Sequence, residues 1–302
     1  MAMIILFTVV GFILGTVLGS LVKALADRSL SGKSFWGRSV CTKCQTTLKW
    51  YDLLPLFSFL LLKGKCRYCN KKFSINYFWV EVLMGVLIGL LFFISFPNKA
   101  VLSDTYKSII YFFDLIFKTL VITTLFIITL TDLKKTLIPD RIILPSILIG
   151  LVALFSITIY KVVYLYYVLS QSVIGKLLLP PKNDYFFRHA LITAEPLTGG
   201  IIMAVILGLF FFSLIVITRG RGMGGGDFKL GIFMGLVLGF PNSLVALLLA
   251  FLSGALVGIT LLLAGRKKLG QTIPFGPFLA LGSVVVIFWG DKILNWYLSL
   301  KI

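Results

Sequence analysis

Gly222-Met223-Gly224-Gly225-Gly226-Asp227-Phe228-Lys229-Leu230 is a carboxylate on a glycine-rich segment between two long apolar runs. The run before it covers residues 197–218, and the next begins at Leu230. An aspartate at the edge of a bilayer is costly and marks a functional position. The whole chain supports that setting. Its 302 residues are 59% hydrophobic and 13% charged, with a mean hydropathy of +1.02. A water-soluble domain cannot bury that much apolar surface. Runs of about 20 apolar residues cross a hydrocarbon layer of about 30 Å. The alternating segments of about 10 residues expected of a membrane barrel do not occur. The sequence therefore predicts an all-α polytopic membrane protein.

The net charge of +18 is concentrated in short stretches. Eleven lysines and arginines lie between Lys23 and Lys72, against Asp27 and Asp52 alone. Smaller clusters sit at Lys134, Lys135 and Arg141, at Arg219, Arg221 and Lys229, and at Arg266, Lys267 and Lys268. Basic loops between apolar spans mark the cytoplasmic side, where anionic lipids are their partners. This accounts for the charge without nucleic acid. No positive segment precedes the first apolar run, so residues 1–22 read as a retained span with its N-terminus outside.

Further spans are expected at about 77–96, 112–131, 142–159, 197–218, 228–240 (short), 244–265 and 275–298. That makes about eight transmembrane helices with both termini outside. It places every basic cluster, Asp132 and Asp227 on the inner face. Residues 23–76 form a long cytoplasmic loop, residues 77–302 a membrane core, and residues 160–196 an outer, aromatic loop-like insertion. Gly11, Gly15 and Gly19 recur every four residues and leave one face of the first helix bare for close packing.

All four cysteines lie in the inner loop, as Cys41-x-x-Cys44 and Cys66-x-x-Cys69 with 21 residues between the pairs. Two such pairs match a structural zinc site, in which four thiolates close a tetrahedron and leave no open position for substrate. Disulfides are the alternative, and a cytoplasmic loop disfavours them. The prediction is a small zinc knuckle holding Zn2+.

Among the acids, Asp27, Asp104, Asp184, Glu195 and Asp291 read as loop or span-end charges, and Asp140 as a cap for the helix that follows. Glu81 lies inside a span near its inner end and needs a partner there. Asp132 and Asp227 each stand at an inner span end. Two carboxylates brought together cannot both ionise easily, so one keeps a proton and the two can share a water, as in aspartic proteases. Gly224, Gly225 and Gly226 would let the backbone open beside Asp227 for a substrate strand, with Lys229 next to it. On spacing alone, two aspartates that merely cap helices fit equally well. No Gly-x-Ser-x-Gly or zincin motif is present.

Taken in order, these residues resemble the bacterial type IV prepilin leader peptidases. The resemblance runs through Gly19-Ser20, Arg38-Ser39-x-Cys41-x-x-Cys44, Leu48-x-Trp50-Tyr51-Asp52-x-x-Pro55-Leu56-x-Ser58 and Lys63-Gly64-x-Cys66-Arg67-Tyr68-Cys69. It continues through Val80-Glu81, Thr131-Asp132-Leu133, Ile138-Pro139-Asp140, Gly224-x-Gly226-Asp227-x-Lys229-Leu230 and Ile273-Pro274-Phe275-Gly276-Pro277. The resemblance implies an aspartic membrane peptidase of the GxGD kind in the bacterial inner membrane, with Asp132 and Asp227 catalytic. It would cut type IV prepilins and type II secretion pseudopilins after a glycine. The cysteine loop matches the forms that then N-methylate the new N-terminus with S-adenosylmethionine, for which Glu81, Trp50 and Asp52 are the candidate cofactor residues. The run of residues 73–79 departs from the Arg- and Pro-containing pattern usual before Val-Glu, and residues 160–196 are longer than usual. A peptidase lacking methyl transfer, a presenilin-like protease and a non-enzymatic zinc-knuckle membrane scaffold are the competing readings. The presenilin-like motifs are not matched here, since Thr131 precedes Asp132 and Pro277-Phe278-Leu279 replaces Pro-Ala-Leu.

Overall fold

A computed structural model describes residues 1–41, 43–180, 184–220, 223–266 and 273–300. Arg221, Gly222, Lys267 and Lys268, named above, lie outside the described residues. The described residues are helical with no strand; two isolated antiparallel bridges, Val40–Thr47 and Lys65–Lys72, are the only β pairing among them. The chain forms two compact units, Met1–Pro139 and Asp140–Ile302.

The first unit contains α1 (Ala2–Leu30), α2 (Phe57–Leu61), α3 (Asn76–Ile94), α4 (Lys99–Leu102) and α5 (Thr105–Lys135), with a 3-10 turn at Trp50–Leu53. α1 packs on α3 through its glycines. A Cβ built at Gly15 would stand 2.5 Å from the Met84 carbonyl oxygen, and one at Gly19 would stand 2.8 Å from Glu81 Cα. The bare stripe expected from the sequence therefore exists, and it brings α1 backbone against α3 backbone. α1 continues two turns beyond the expected end at residue 22, so Asp27, expected in a loop, is helical. α5 begins at a side-chain cap, with Asp104 accepting from the Tyr106 and Lys107 amides.

The second unit contains α6 (Asp140–Ser170), α7 (Val173–Leu177), α8 (Tyr185–Thr193), α9 (Glu195–Ile217), α10 (Gly225–Leu238), α11 (Asn242–Leu263) and α12 (Gly276–Ser299). Within it the loop-like reading of residues 160–196 is corrected. α6 runs unbroken through Tyr160, Tyr164, Tyr166 and Tyr167, and two short helices follow it. Aromatic and β-branched residues have weak helix propensity, but packing and a long apolar context override a weak local preference. α10 is buried through Leu230, Phe233 and Met234. A Cβ at Gly235 of α10 would lie 2.5 Å from the Met203 carbonyl oxygen of α9, so here too glycine lets two helices meet at the backbone.

Seven of the helices among the described residues are long and apolar enough to cross a membrane. The eighth apolar helix, α10, has 14 residues and extends about 21 Å, less than a hydrocarbon core of about 30 Å. It stops where Gly239 takes a positive φ of 62° and Pro241 follows. The outer faces of the long helices carry large apolar side chains, and only 11% of the most apolar window of α11 is buried. A surface of that kind belongs in lipid, and the chain is a multi-pass membrane protein.

Candidate functional site

The cysteine loop folds as one turn used twice. Cys41 N–H donates to Thr46 O at 3.0 Å, and Gln45 N–H returns to Cys41 O at 2.9 Å. Twenty-five positions later, Cys66 N–H donates to Lys71 O at 2.9 Å and Asn70 N–H to Cys66 O at 2.9 Å. The flanking pairs repeat as well, Leu48 N–H to Ser39 O and Phe73 N–H to Gly64 O. Each turn closes on a residue of positive φ, 58° at Gln45 and 53° at Asn70. Asparagine tolerates this conformation better than glutamine does.

The two turns bring the four thiols together. All four sulfurs lie within 4.8 Å of one another, with Cys41 Sγ 4.0 Å from Cys69 Sγ, and none is in a disulfide. A zinc tetrahedron with bonds of about 2.3 Å has sulfur–sulfur edges of about 3.8 Å. Cys41 and Cys66 are buried, while Cys44 and Cys69 are partly exposed. The donor set and spacing fit Zn2+, as the sequence predicts.

A cavity of about 1350 Å3 opens between this loop and the ends of α1, α3 and α5. Its lining includes Ser20, Asp27, Asp52, Glu81, Arg38 and Lys134. Of the three candidate cofactor residues the structure brings two to this cavity, Glu81 and Asp52. Trp50 is 76% exposed, is absent from the lining and stacks edge-on against Tyr51. The two carboxylates differ. Asp52 Oδ1 accepts from Arg67 Nε at 2.8 Å, and its Oδ2 accepts from the Tyr68 hydroxyl at 3.0 Å and the Lys49 amide at 3.2 Å. Burial alone would raise its pKa; the Arg67 guanidinium, the Lys49 amide and the Tyr68 hydroxyl together hold it below the usual carboxylate range. For Tyr68, burial and the Asp52 charge push the phenol up to about 12. Glu81 instead accepts from the Leu56 amide at 2.9 Å and from the Ser20 hydroxyl. No lysine or arginine among the described residues forms an ion pair with it.

Asp132 is 5% exposed and sits in the last turn of α5, beside the fully buried Thr131. The helix passes it by one turn and ends on Thr136, whose left-handed backbone returns its N–H to Asp132 O at 2.8 Å. Asp227 lies in the first turn of α10, half-buried, its amide donating to Gly224 O at 3.2 Å. Gly224 is the cap residue, and Gly225 and Gly226 are already helical. The glycine segment is thus the start of a helix. Asp140, expected to cap α6, is its first residue and accepts from Lys229 Nζ.

Asp27 reads from the sequence as a loop or span-end charge, but in the fold it is a junction between helices. It accepts from Lys23 Nζ at 3.2 Å, Lys134 Nζ at 3.0 Å and the Tyr77 hydroxyl at 3.0 Å, and so joins α1, α3 and α5. The signal was present: the four-residue stripe of Gly11, Gly15 and Gly19 continues through Lys23 to Asp27.

Comparison with known proteins finds two family models in succession along the chain. Residues 13–95 match the family model of the bacterial peptidase A24 N-terminal domain, and residues 119–259 match that of the type IV leader peptidase family. A protein of Aeromonas salmonicida named prepilin leader peptidase/N-methyltransferase is 30% identical over 262 residues, covering 87% of this chain and 75% of the relative. Its namesake in Legionella pneumophila is 30% identical over 267 residues, covering 88% and 77%. The one in Bacillus subtilis is 28% identical over 295 residues, covering 96% and 98%. No solved structure matches the chain.

Proposed function

Because this chain belongs to the type IV leader peptidase family, we propose that it removes the leader peptide of type IV prepilins and pseudopilins and then N-methylates the exposed N-terminus. The observation that carries the reading is the environment of Asp132 and Asp227. Each is a carboxylate at the terminal turn of an apolar helix, and both fall within the residues matched by the peptidase family model. In the aspartic mechanism the ionised member of the pair takes a proton from the attacking water. The protonated member donates to the carbonyl oxygen of the scissile bond. Gly224, Gly225 and Gly226 present backbone without side chains beside Asp227, which favours close approach of an extended substrate strand. The basic clusters favour the cytoplasmic face for this chemistry and for the cysteine loop.

S-adenosylmethionine, when bound, supplies an electrophilic methyl group. The cavity beside the zinc loop has the volume for it. Both oxygens of Asp52 are engaged within the loop, so Asp52 serves to brace the second cysteine turn. Glu81 has no cationic partner among the described residues and is the carboxylate suited to a positively charged sulfur or ammonium. Zn2+ held by Cys41, Cys44, Cys66 and Cys69 would fix the loop's shape and would have no open position for methyl transfer.

The test is mass spectrometry of a prepilin co-expressed with this chain. Expected are cleavage after a glycine and a mass increase of one methyl group. Asp132→Asn and Asp227→Asn should each abolish cleavage while the protein still inserts with its zinc. Cleavage that survives either change overturns the aspartic reading, and cleavage without methylation reduces the activity to a peptidase alone.

A further inference from the structure

Both aspartates proposed as catalytic are followed two residues later by a lysine, in Asp132-Leu133-Lys134 and Asp227-Phe228-Lys229. In each compact unit that lysine reaches an aspartate on a different helix. Lys134 Nζ donates to Asp27 Oδ1 of α1 at 3.0 Å, and Lys229 Nζ donates to Asp140 Oδ1 of α6. We propose that these two ion pairs, Lys134–Asp27 and Lys229–Asp140, are positioning devices that fix the helical turns carrying Asp132 and Asp227. The inference rests on the aspartic reading of those two residues.

The need for such a device follows from where the aspartates stand. Asp132 is one turn from the C-terminus of α5, and Asp227 is in the first turn of α10. Terminal turns fray because their backbone groups lack intrahelical partners. α10 is exposed to this most, since Gly224, Gly225 and Gly226 start it and glycine is the poorest helix former after proline. A carboxylate held loosely by about 1 Å loses a large part of its effect on a reaction. In the first unit the hold is doubled. Lys135 Nζ donates to Leu30 O at 3.1 Å, so two successive lysines tie the end of α5 to the end of α1. Asp27 is itself fixed by Lys23 and by the Tyr77 hydroxyl. In the second unit Lys229 bridges from α10 to the first residue of α6.

These pairs are partly exposed, with side-chain accessibilities of 55% and 30% for Lys134 and Asp27 and 30% and 59% for Lys229 and Asp140. Exposed pairs contribute little to global stability. Their consequence is therefore kinetic, and it separates them from ordinary structural contacts.

The experiment is a double-mutant cycle on each pair, using the full chain in proteoliposomes with a purified prepilin. The variants are Lys229→Met, Asp140→Asn and their combination, and Lys134→Met, Asp27→Asn and theirs. Each single change should lower kcat about 10-fold or more with KM for the prepilin within about 2-fold. Each double variant should be no slower than the worse single, because the pair acts as a unit. Lys134→Arg and Lys229→Arg should recover most of the rate, and zinc content should be unchanged. Wild-type kcat in the single variants, or singles that multiply in the double, would overturn the proposal. Should an Asn variant fail to insert, the Met and Arg variants of the same pair decide the matter. The two levels of inference fail separately. If Asp132→Asn or Asp227→Asn cleaves, the aspartic reading falls; if neither cleaves but the lysine variants keep full kcat, only the positioning falls.

Discussion

Single side chains in the zinc loop are set by their immediate partners. From the sequence, Asp52 reads as a candidate cofactor residue beside Trp50 and Tyr51. Its three donors, Arg67, Tyr68 and the Lys49 amide, instead tie the 3-10 turn to the second cysteine pair. This has a pH consequence with a definite sign. The folded pKa of Asp52 lies below its unfolded value of about 3.9, so its pairing stabilises the loop above that pH. The contribution disappears as pH falls through the lowered folded value. Asp52→Asn should therefore weaken the loop at neutral pH and make its remaining stability less sensitive to acid below about pH 4. Thermal melts followed by tryptophan fluorescence at several pH values check this; parallel acid limbs in the two proteins would count against it. Nothing in the sequence names Arg67 and Tyr68 as the partners, since they lie 15 and 16 residues away on a separate turn.

Among the helices, a close-packing face on α1 was readable, because a four-residue glycine period has one physical use in an apolar helix. The partner helix was not readable. Gly85 on α3 faces Thr16 and Phe12, but its spacing in the sequence carries no sign of that. The contact can be tested by size. Gly15→Leu places atoms where the Met84 carbonyl oxygen stands 2.5 Å away, so the helices must separate, and a loss of about 1–3 kcal/mol or more is expected. Gly89→Ala meets its nearest atom, Phe12 Cβ, at 3.4 Å and should be far milder. Denaturation in mixed micelles measures both; equal losses would show that the α1–α3 contact is looser than described. Because Gly19 also abuts Glu81 Cα and Ser20 donates to Glu81, loosening this contact should lower methyl transfer as well.

At the scale of the whole chain, composition alone identifies the solvent. A chain 59% hydrophobic with helices of 19 to 31 residues is stable only where lipid covers its outer faces. The cysteine loop is the exception, a small basic segment with little core, whose fold is expected to depend on a metal held by its four thiols. Cys41→Ser with Cys66→Ser should remove one zinc per chain and abolish methyl transfer, with the prepilin still cleaved. Metal analysis and the prepilin mass spectrum read both, and a wild-type chain free of zinc would end the zinc assignment. The sequence by itself determined the helical membrane class, the four thiols and the two candidate aspartates. These rest on local composition and spacing, and a span length or a Cys-x-x-Cys turn involves only neighbours along the chain. Tertiary structure decided that α6 stays helical through its tyrosines, that α10 is buried through Leu230, Phe233 and Met234, and that Asp27 and Asp140 receive Lys134 and Lys229. Those outcomes depend on which helix faces meet. That is a balance of packing between residues up to 107 positions apart, which no local pattern encodes.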